Sequence, residues 1–234
     1  MPPFLTVVIP AYNEERNLAT TVPLVAGELS ALACDYEIII VNDGSTDSTP
    51  QVALSLAREN QRVRVVHHAA NLGIGQGIFT GIKEARGEFF IIIPADLALD
   101  IKELPRYLEA AREADVVVGL RSDRRDYTFF RRAVSWLNIQ LIQKLFGMKE
   151  RQFNYISLFR TRLLKDMELE SQGSAFIFAE MIIRAKDAGA RLTQVEVRYA
   201  PRTHGQATGA RLGLILRTGR DMLRFWWRRR RAKG

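Results

Sequence analysis

The 234-residue chain predicts an α/β fold in which a mostly parallel sheet carries helices on both faces. Short apolar runs alternate with segments of helical pattern through its first half, which is typical of doubly wound sheets with right-handed crossovers. The run at residues 89–93 is apolar at all five positions, as in a strand buried on both faces. A chain of this length suffices for one such domain, or for one domain with an appendage.

Five strands are predicted in the first half of the chain, at residues 5–9, 36–41, 63–68, 89–93 and 115–119. Proline lacks the N–H that a sheet ladder requires, so Pro10 and Pro94 are predicted to end the first and fourth strands. Asn13 is predicted to cap the first helix, and Pro23 predicts a kink or a short first turn before a second segment. Further helices are predicted before residue 59, after the glycines at 73–77, and over residues 101–112.

The second half of the chain begins with a helical pattern at residues 129–146 whose apolar face is unusually wide. Core packing is the default explanation for such a face, and contact with lipid is the alternative. The other predicted elements are strands at residues 153–160 and 191–199, a helix at 175–188 ended by Gly189, and a final helix from about residue 211. The sequence contains no internal repeat or low-complexity linker, so these elements are expected to extend a single domain.

The net charge of +8 is unevenly placed along the chain. Residues 224–233 contain six cationic side chains beside Phe225, Trp226 and Trp227. Arginines next to aromatic rings are typical of segments that lie in an anionic membrane surface. A solvated tail is the second interpretation, and nucleic acid is not an expected partner because no nucleic-acid motif accompanies the charge. We therefore predict a domain at residues 1–205 and a basic, amphipathic, membrane-facing segment at residues 206–234.

Features that are missing from the sequence indicate where the protein is located and exclude some kinds of cysteine chemistry. Its single cysteine, Cys34, excludes an internal disulfide and a cysteine-based metal cluster. The first residues lack the charged start and the apolar length of a signal peptide. No stretch approaches the roughly 18 uncharged apolar residues of a membrane span. These features predict a cytoplasmic location.

Three carboxylates follow predicted strands. Glu14, Asp43 and Asp96 come after the first, second and fourth strands, and a parallel sheet brings such residues to one rim. There they are suited to binding a base edge, a ribose or a metal-bound diphosphate. Capping is the alternative for each: Glu14 lies in a first helical turn and Asp43 in an Asx-type turn. Asp100 is better placed than Asp96 to cap the helix near residue 101, so Asp96 is the stronger candidate for a ligand or metal role.

Several enzyme classes are disfavoured by missing motifs. The glycine pattern GIGQG at residues 73–77 is not the dinucleotide fingerprint, and the chain contains no P-loop. It also lacks a nucleophile elbow and a zinc-binding His-Glu-x-x-His motif. His67 and His68 end a strand, where burial or edge exposure is the ordinary explanation. Acidic strand ends without a nucleophile favour group transfer from a nucleotide-linked donor.

Ordered motifs across nearly the whole chain resemble the family-2 glycosyltransferases, and among them the dolichol- and polyprenyl-phosphate sugar transferases. These motifs are VVIPAYNEE (7–15), IIIVNDGSTDST (38–49), NLGIGQGIFTGIKEARGEFFIIIPAD (71–96), GLRSDRRD (119–126), LFRTRLL (158–164) and EVRYAPRTHGQAT (196–208). The resemblance implies a GT-A-type fold and an inverting, Mg²⁺- or Mn²⁺-dependent hexosyltransferase. Its expected partners are a UDP- or GDP-linked sugar and a polyprenyl or dolichyl phosphate at the inner face of the membrane.

The resemblance also implies roles for individual residues. The base and ribose pocket would be lined by Pro10, Tyr12, Glu14, Val41 and Asp43. Asp96 matches the last acidic residue of the family's Asp-x-Asp motif and would hold the divalent metal on the donor diphosphate. Arg121 and Arg202 match arginines near the donor and acceptor phosphates. A metal and arginines neutralise charge that develops on a nucleoside-diphosphate leaving group, which agrees with these roles.

The sequence departs from the family pattern at four positions. Pro94 replaces the first acidic residue of Asp-x-Asp, and Ala98 stands where lipid-phosphate members often carry glutamine. Gln152 replaces a common aspartate, and Thr208 occupies a position that is lysine in some relatives. Fewer oxygen ligands are expected to weaken metal binding. Two alternatives therefore stay open: transfer to a saccharide or protein hydroxyl, which requires a base, and a catalytically silent nucleotide-sugar-binding protein.

Overall fold

The computed structural model of the chain describes residues 4–97, 99–123, 128–171, 173–198 and 212–233. Its strands are β1 (Leu5–Ala11), β2 (Tyr36–Asp43), β3 (Val63–His68), β4 (Phe89–Ile92), β5 (Val116–Arg121), β6 (Ser157–Arg160) and β7 (Leu192–Val197). Its helices are α1 (Glu15–Ala31), α2 (Thr49–Glu59), α3 (Ile74–Glu84), α4 (Leu104–Ala110), α5 (Phe129–Phe146), α6 (Thr161–Lys165), α7 (Phe176–Asp187) and α8 (Leu212–Lys233). A 3₁₀ turn, Ile101–Glu103, precedes α4.

The strands form one seven-stranded sheet in the order β3-β2-β1-β4-β6-β5-β7. β6 is antiparallel to both of its neighbours, β4 and β5, whereas the other pairs are parallel. The prediction of a mostly parallel sheet is confirmed. Two antiparallel steps restore the original direction, so β5 and β7 run the same way as β1, β2 and β4. Six carboxyl ends therefore lie at one rim of the sheet.

Helices cover both faces of the sheet because successive strand residues point to opposite sides. In β1, Val7 and Ile9 pack in a core with α1, α2 and α4, whereas Val8 packs in the core beneath α3, α5 and α7. α3 approaches β1 closely at Gly81, where a Cβ atom would lie 2.5 Å from a methyl group of Val8. Only glycine permits this approach without displacement of the strand or the helix. Both faces are thereby sealed, and the carboxyl rim is where ligands are expected.

β1 continues through Pro10 to Ala11, so the prediction that Pro10 ends this strand is wrong. The side that the proline faces explains the difference. Ile93 N–H donates to Val8 O on the β4 side of β1, and alternate residues direct their backbone groups to the same side. Pro10 therefore faces β4, which has already ended at Ile92. The missing N–H removes no ladder hydrogen bond.

α1 is one continuous helix that contains Pro23, so the prediction of a short turn followed by a second segment is wrong. Pro23 and Ala19 are both exposed, and water can reach the Ala19 carbonyl oxygen that lacks its helical partner. Asn13 does not cap this helix. It has a φ of 55°, and its side-chain oxygen accepts a hydrogen bond from Thr46 N–H.

α8 packs against the domain through one of its faces. Met222 and Phe225 are buried, and the Phe225 ring lies 5.6 Å from that of Phe146 in α5. Arg229 forms two hydrogen bonds with the Asp187 carboxylate at the end of α7. The predicted boundary between residues 205 and 206 lies outside the described residues, so the division into two parts stays a prediction.

Candidate active site

The four charged residues of the predicted site that the structure describes lie at, or just beyond, the carboxyl ends of parallel strands. Asp43 is the last residue of β2 and Arg121 the last of β5, because both strands run two residues beyond their predicted ends. Glu14 follows β1, and Asp96 follows β4. The order β2-β1-β4 puts the three carboxylates on neighbouring strands. Arg202 lies outside the described residues.

Two helix starts cap each other: side chains of the turn between β2 and α2 accept hydrogen bonds from the first residues of α1, and a side chain of α1 accepts one from that turn. Glu14 N–H donates to Thr49 Oγ1 at 2.8 Å, and Glu15 N–H donates to Asp47 Oδ2 at 3.5 Å. In return, the Glu15 carboxylate accepts a hydrogen bond from Ser48 N–H at 3.0 Å. Burial acts to raise the pKa of Asp47, but hydrogen bonds from Thr49 and Glu15 outweigh burial and lower that pKa. These acidic side chains hold the rim together and satisfy helix N-termini.

Asp43 is buried, with 4% of its surface exposed, and its carboxylate holds the loop that precedes α3. Oδ1 accepts hydrogen bonds from Leu72 N–H at 2.9 Å and from His68 Nδ1 at 2.6 Å. Oδ2 accepts one from Gly73 N–H at 2.8 Å. A carboxylate offers about four acceptor sites, so Oδ2 retains the capacity for a further donor.

His68 is a partner of Asp43 that the sequence pattern did not predict. The two residues are directly opposite in the parallel register of β2 and β3. The other ring nitrogen of His68, Nε2, lies 2.9 Å from Thr80 Oγ1 in α3. The positions of the two residues could have predicted this contact. Asp43 and His68 each end an apolar run, and adjacent parallel strands bring such residues side by side.

The remaining members of the predicted base pocket differ in accessibility. Tyr12 is 45% exposed and Pro10 is half-buried, whereas Val41 is fully buried. A Cβ atom at Gly77 in α3 would lie 3.5 Å from Pro10 Cβ and 3.9 Å from Val41 Cγ1, so α3 covers the ends of β1 and β2. The Glu14 carboxylate accepts a hydrogen bond from the Asn17 side-chain amide at 2.6 Å, and it forms no side-chain cap on the backbone of α1, contrary to the alternative capping interpretation. Nucleotide contact by these residues stays a prediction.

Asp96 lies in a tight turn immediately after the central strand β4. Leu97 N–H donates to Pro94 O at 2.9 Å, and Leu97 has a φ of 45°. Thr21 in α1 donates to Ala95 O at 2.6 Å, which ties this turn to the neighbouring helix. Asp96 itself is half-buried. The turn therefore holds one carboxylate at the rim, beside the end of β1.

The donor set at Asp96 fits a metal that arrives together with a phosphate ligand. Among the described residues, no group of three or more His, Cys, Asp or Glu side chains is arranged to hold an ion. Mg²⁺ is commonly bound by one or two carboxylates, with substrate phosphates and water completing its octahedron. A single Asp96 carboxylate meets that requirement only when a diphosphate supplies further oxygens. Ala98 lies outside the described residues.

Arg121 is 8% exposed and is held by Gln152, which from the sequence was only a departure from the family pattern. The Gln152 amide bonds both backbone groups of Arg121: Oε1 accepts from its N–H, and Nε2 donates to its carbonyl, each at 3.2 Å. Arg121 Nε donates to Asp123 O at 2.5 Å. Both residues line a cavity of about 50 Å³ beside α5. Gln152 thus fixes the strand end that carries the arginine.

The family model for glycosyl transferase family 2 matches residues 6–173, which include β2 to β6, all of β1 except its first residue, and most of the rim. The chain belongs to glycosyl transferase family 2. The matched segment contains the rim residues Glu14, Asp43, Asp96 and Arg121. The family resemblance stated from the sequence is confirmed.

Two curated relatives act on polyprenyl phosphates, according to their names. The undecaprenyl-phosphate 4-deoxy-4-formamido-L-arabinose transferase of Edwardsiella ictaluri is 32% identical over 215 residues, which cover 91% of this chain and 65% of that protein. The dodecaprenyl-phosphate galacturonate synthase of Rhizobium johnstonii is 30% identical over 205 residues, which cover 86% and 60%. This chain thus spans somewhat less than two thirds of the length of these relatives.

Solved structures of similar fold include glucosyl-3-phosphoglycerate synthase from Mycobacterium tuberculosis in complex with Mn²⁺, UDP and phosphoglyceric acid. Its TM-score is 0.74 at 19% identity, covering 96% of this chain and 78% of that one. TarS from S. aureus, solved with UDP-GlcNAc, has a TM-score of 0.61 at 19% identity, covering 89% and 61%. These likenesses confirm the GT-A-type fold. None of the described helices has the length and hydropathy to cross a membrane.

Proposed function

We propose that this chain transfers a sugar from a UDP- or GDP-linked donor to a polyprenyl phosphate, with inversion at the sugar. The proposal rests on the arrangement of three residues at one rim of the sheet, where Asp43 ends β2, Arg121 ends β5 and Asp96 lies in the turn after β4. Family membership and the polyprenyl-phosphate relatives support the same reaction.

Each rim residue has a distinct part in the proposed reaction. Asp43 accepts a hydrogen bond from the donor base. Asp96 would hold Mg²⁺ or Mn²⁺, which supplies positive charge to the diphosphate leaving group. The Arg121 guanidinium adds charge from the protein side, and Arg202 is proposed to act at a phosphate as well. A phosphate acceptor is already an anionic nucleophile, so the chemistry requires no strong general base.

The base preference of the protein is the first test of this function. Uracil and guanine carry a ring N–H that Asp43 Oδ2 can accept, whereas adenine carries none. Calorimetry with Mn²⁺ is therefore expected to give tighter binding of UDP or GDP than of ADP. Asp43→Ala should remove about 1–3 kcal/mol of that binding free energy. A preference for ADP would refute the assignment.

Transfer itself separates the proposed function from its alternatives. The purified chain is expected to move radiolabelled sugar from the preferred donor to a short polyprenyl phosphate, and not to a free saccharide. Transfer to a saccharide alone would favour the hydroxyl-acceptor alternative. Nucleotide-sugar binding without transfer to either acceptor would instead indicate a silent binding protein.

The outer face of α8 supports attachment to an anionic membrane. Leu216, Leu223 and Trp227 are each more than half exposed and share one helical face, opposite the buried Met222 and Phe225. Additional apolar surface lies on α5, with exposed side chains at Phe129, Phe130, Trp136, Leu137 and Leu141. An apolar stripe flanked by arginines is the composition of a helix that lies in the lipid interface.

The four consecutive arginines at residues 228–231 of α8 divide into two groups. Arg228 and Arg229 form ion pairs with Glu170 and Asp187, so their charge is largely compensated within the protein. Arg230 and Arg231 are exposed, and Arg231 lies over the Trp227 ring. These outward cations are the ones that we expect to meet anionic headgroups, each contributing about 1 kcal/mol. The proposed location is the inner face of the cytoplasmic membrane.

Replacing Leu223 and Trp227 together with glutamate is expected to weaken binding to anionic liposomes about 10- to 100-fold, because apolar burial is lost and negative charge is added. Co-sedimentation at low and high salt measures the effect. The matched control is Leu54→Glu, an exposed leucine on α2, which should bind as the parent does. Equal binding by all three proteins would contradict membrane docking through α8.

A further inference from the structure

The His68 imidazole joins three elements beneath the rim. Its side chain is 8% exposed, and the paired Asp43 side chain is 6% exposed. His68 Nδ1 lies 2.6 Å from Asp43 Oδ1 in β2, and Nε2 lies 2.9 Å from Thr80 Oγ1 in α3. The ring therefore has a polar partner on each nitrogen. Its orientation is fixed by two elements that are adjacent in space and distant in sequence.

The chemistry of the pair assigns the ring proton. An ionised carboxylate accepts hydrogen bonds only, so the proton lies on His68 Nδ1. Nε2 lies within hydrogen-bond distance of the Thr80 hydroxyl group, which can either accept or donate. Because Asp43 Oδ1 receives both His68 and Leu72 N–H, that oxygen is occupied. The acceptor capacity that remains is on Oδ2, which also receives Gly73 N–H.

We propose that His68 is a positioning residue for nucleotide recognition. It acts through Asp43: by occupying Oδ1 and fixing the carboxylate plane, it presents Oδ2 to the ring N–H of a uracil or guanine base. A rotated or loosely held carboxylate would lose this selectivity even while the protein remained folded. This inference rests on the proposed function, since it requires that a nucleotide base be bound by Asp43.

The test compares the binding of UDP, GDP and ADP by the full chain with Mn²⁺. His68→Leu removes both ring nitrogens at similar volume, whereas His68→Asn retains a side-chain N–H near the position of Nδ1. His67→Leu is the matched control, because His67 is exposed and contacts Asn42 and not Asp43. Thermal unfolding of each protein is recorded in parallel.

His68→Leu is expected to weaken binding of the preferred nucleotide about tenfold and to reduce its preference over ADP by a similar factor. His68→Asn should recover the affinity to within about threefold of the parent, and His67→Leu should match the parent. Kinetically, the loss should fall on KM for the donor, with kcat little changed.

Three results would overturn the inference. One is an equal loss of affinity for all three nucleotides in His68→Leu, which indicates a purely structural role. Another is the same binding by His68→Leu and His68→Asn. If His68→Leu does not fold, Thr80→Val decides, because it removes the hydroxyl group that orients the ring through Nε2: a reduced preference over ADP is expected, and parent-like selectivity would refute the inference. A parent that binds none of the nucleotides would instead refute the proposed function, and this inference with it.

Discussion

Asp96→Asn is expected to abolish metal-stimulated binding of the donor and to lower the transfer rate about 100- to 1000-fold. Asparagine keeps the size of the side chain and one oxygen, but it loses the negative charge that Mg²⁺ or Mn²⁺ requires. The turn at residues 94–97 contains no other acidic residue, so no neighbouring carboxylate in that turn can replace Asp96. Calorimetry with and without Mn²⁺ measures the effect on the donor nucleotide.

The thermal transition of the nucleotide-free protein should change little in this variant. Asp96 is not needed to cap the following 3₁₀ turn, because Asp100 caps it: Asp100 Oδ1 accepts a hydrogen bond from Lys102 N–H at 3.2 Å. Asp100→Asn is therefore the matched control: the same chemical change, four positions further on, should leave metal-stimulated binding intact. Equal donor affinity in Asp96→Asn and the parent, with metal present, would refute the metal assignment.

Most of the fold could be predicted because it depends on local pattern. Apolar runs bounded by turn residues located β3 and α5 to the residue, since strand length and helical periodicity are both written in the sequence. The direction of β6 could not be predicted. Ser157–Arg160 has only four residues, and its antiparallel pairing depends on β4 and β5 being held apart by one strand width.

The rim could be predicted in outline and not in its contacts. That carboxylates follow strand ends is visible in the sequence, and parallel strands bring them together. The partners of those residues are separated from them by 25 positions for His68 and Asp43, and by 31 for Gln152 and Arg121. Contacts at such separations depend on strand order and register, which no local pattern specifies.

The C-terminal helix illustrates a second limit. Composition alone indicated a membrane-facing segment, because arginine and tryptophan occur together at its end. α8 in fact carries apolar residues on two faces. Met222 and Phe225 pack on the domain, while Leu223 and Trp227 remain exposed. Which face turns inward is decided by the surface formed by Phe146 and Phe176, and not by the helix itself.

Glu180→Gln is expected to destabilise the fold by about 2–4 kcal/mol, a larger effect on stability than that of the other substitutions discussed. Glu180 in α7 is fully buried, and its carboxylate accepts three hydrogen bonds. Oε1 receives Glu170 N–H at 3.0 Å and Arg184 Nε at 2.8 Å, and Oε2 receives Ser171 N–H at 2.9 Å. A glutamine amide nitrogen would place a donor against one of these donors and leave a buried N–H without an acceptor.

The size of the loss distinguishes a buried network from an ordinary surface ion pair. Arg184 retains Glu170 as a second ion-pair partner at 3.0 Å, which keeps the cost below that of an isolated buried charge. Urea unfolding should give the free-energy change, and the melting temperature should fall by about 5–15 °C. The same change at exposed Glu168 is the control and should cost less than about 0.5 kcal/mol. If both variants unfold alike, the segment at residues 170–171 is held by its contacts with α8, such as Arg228 with Glu170, and the carboxylate of Glu180 contributes little.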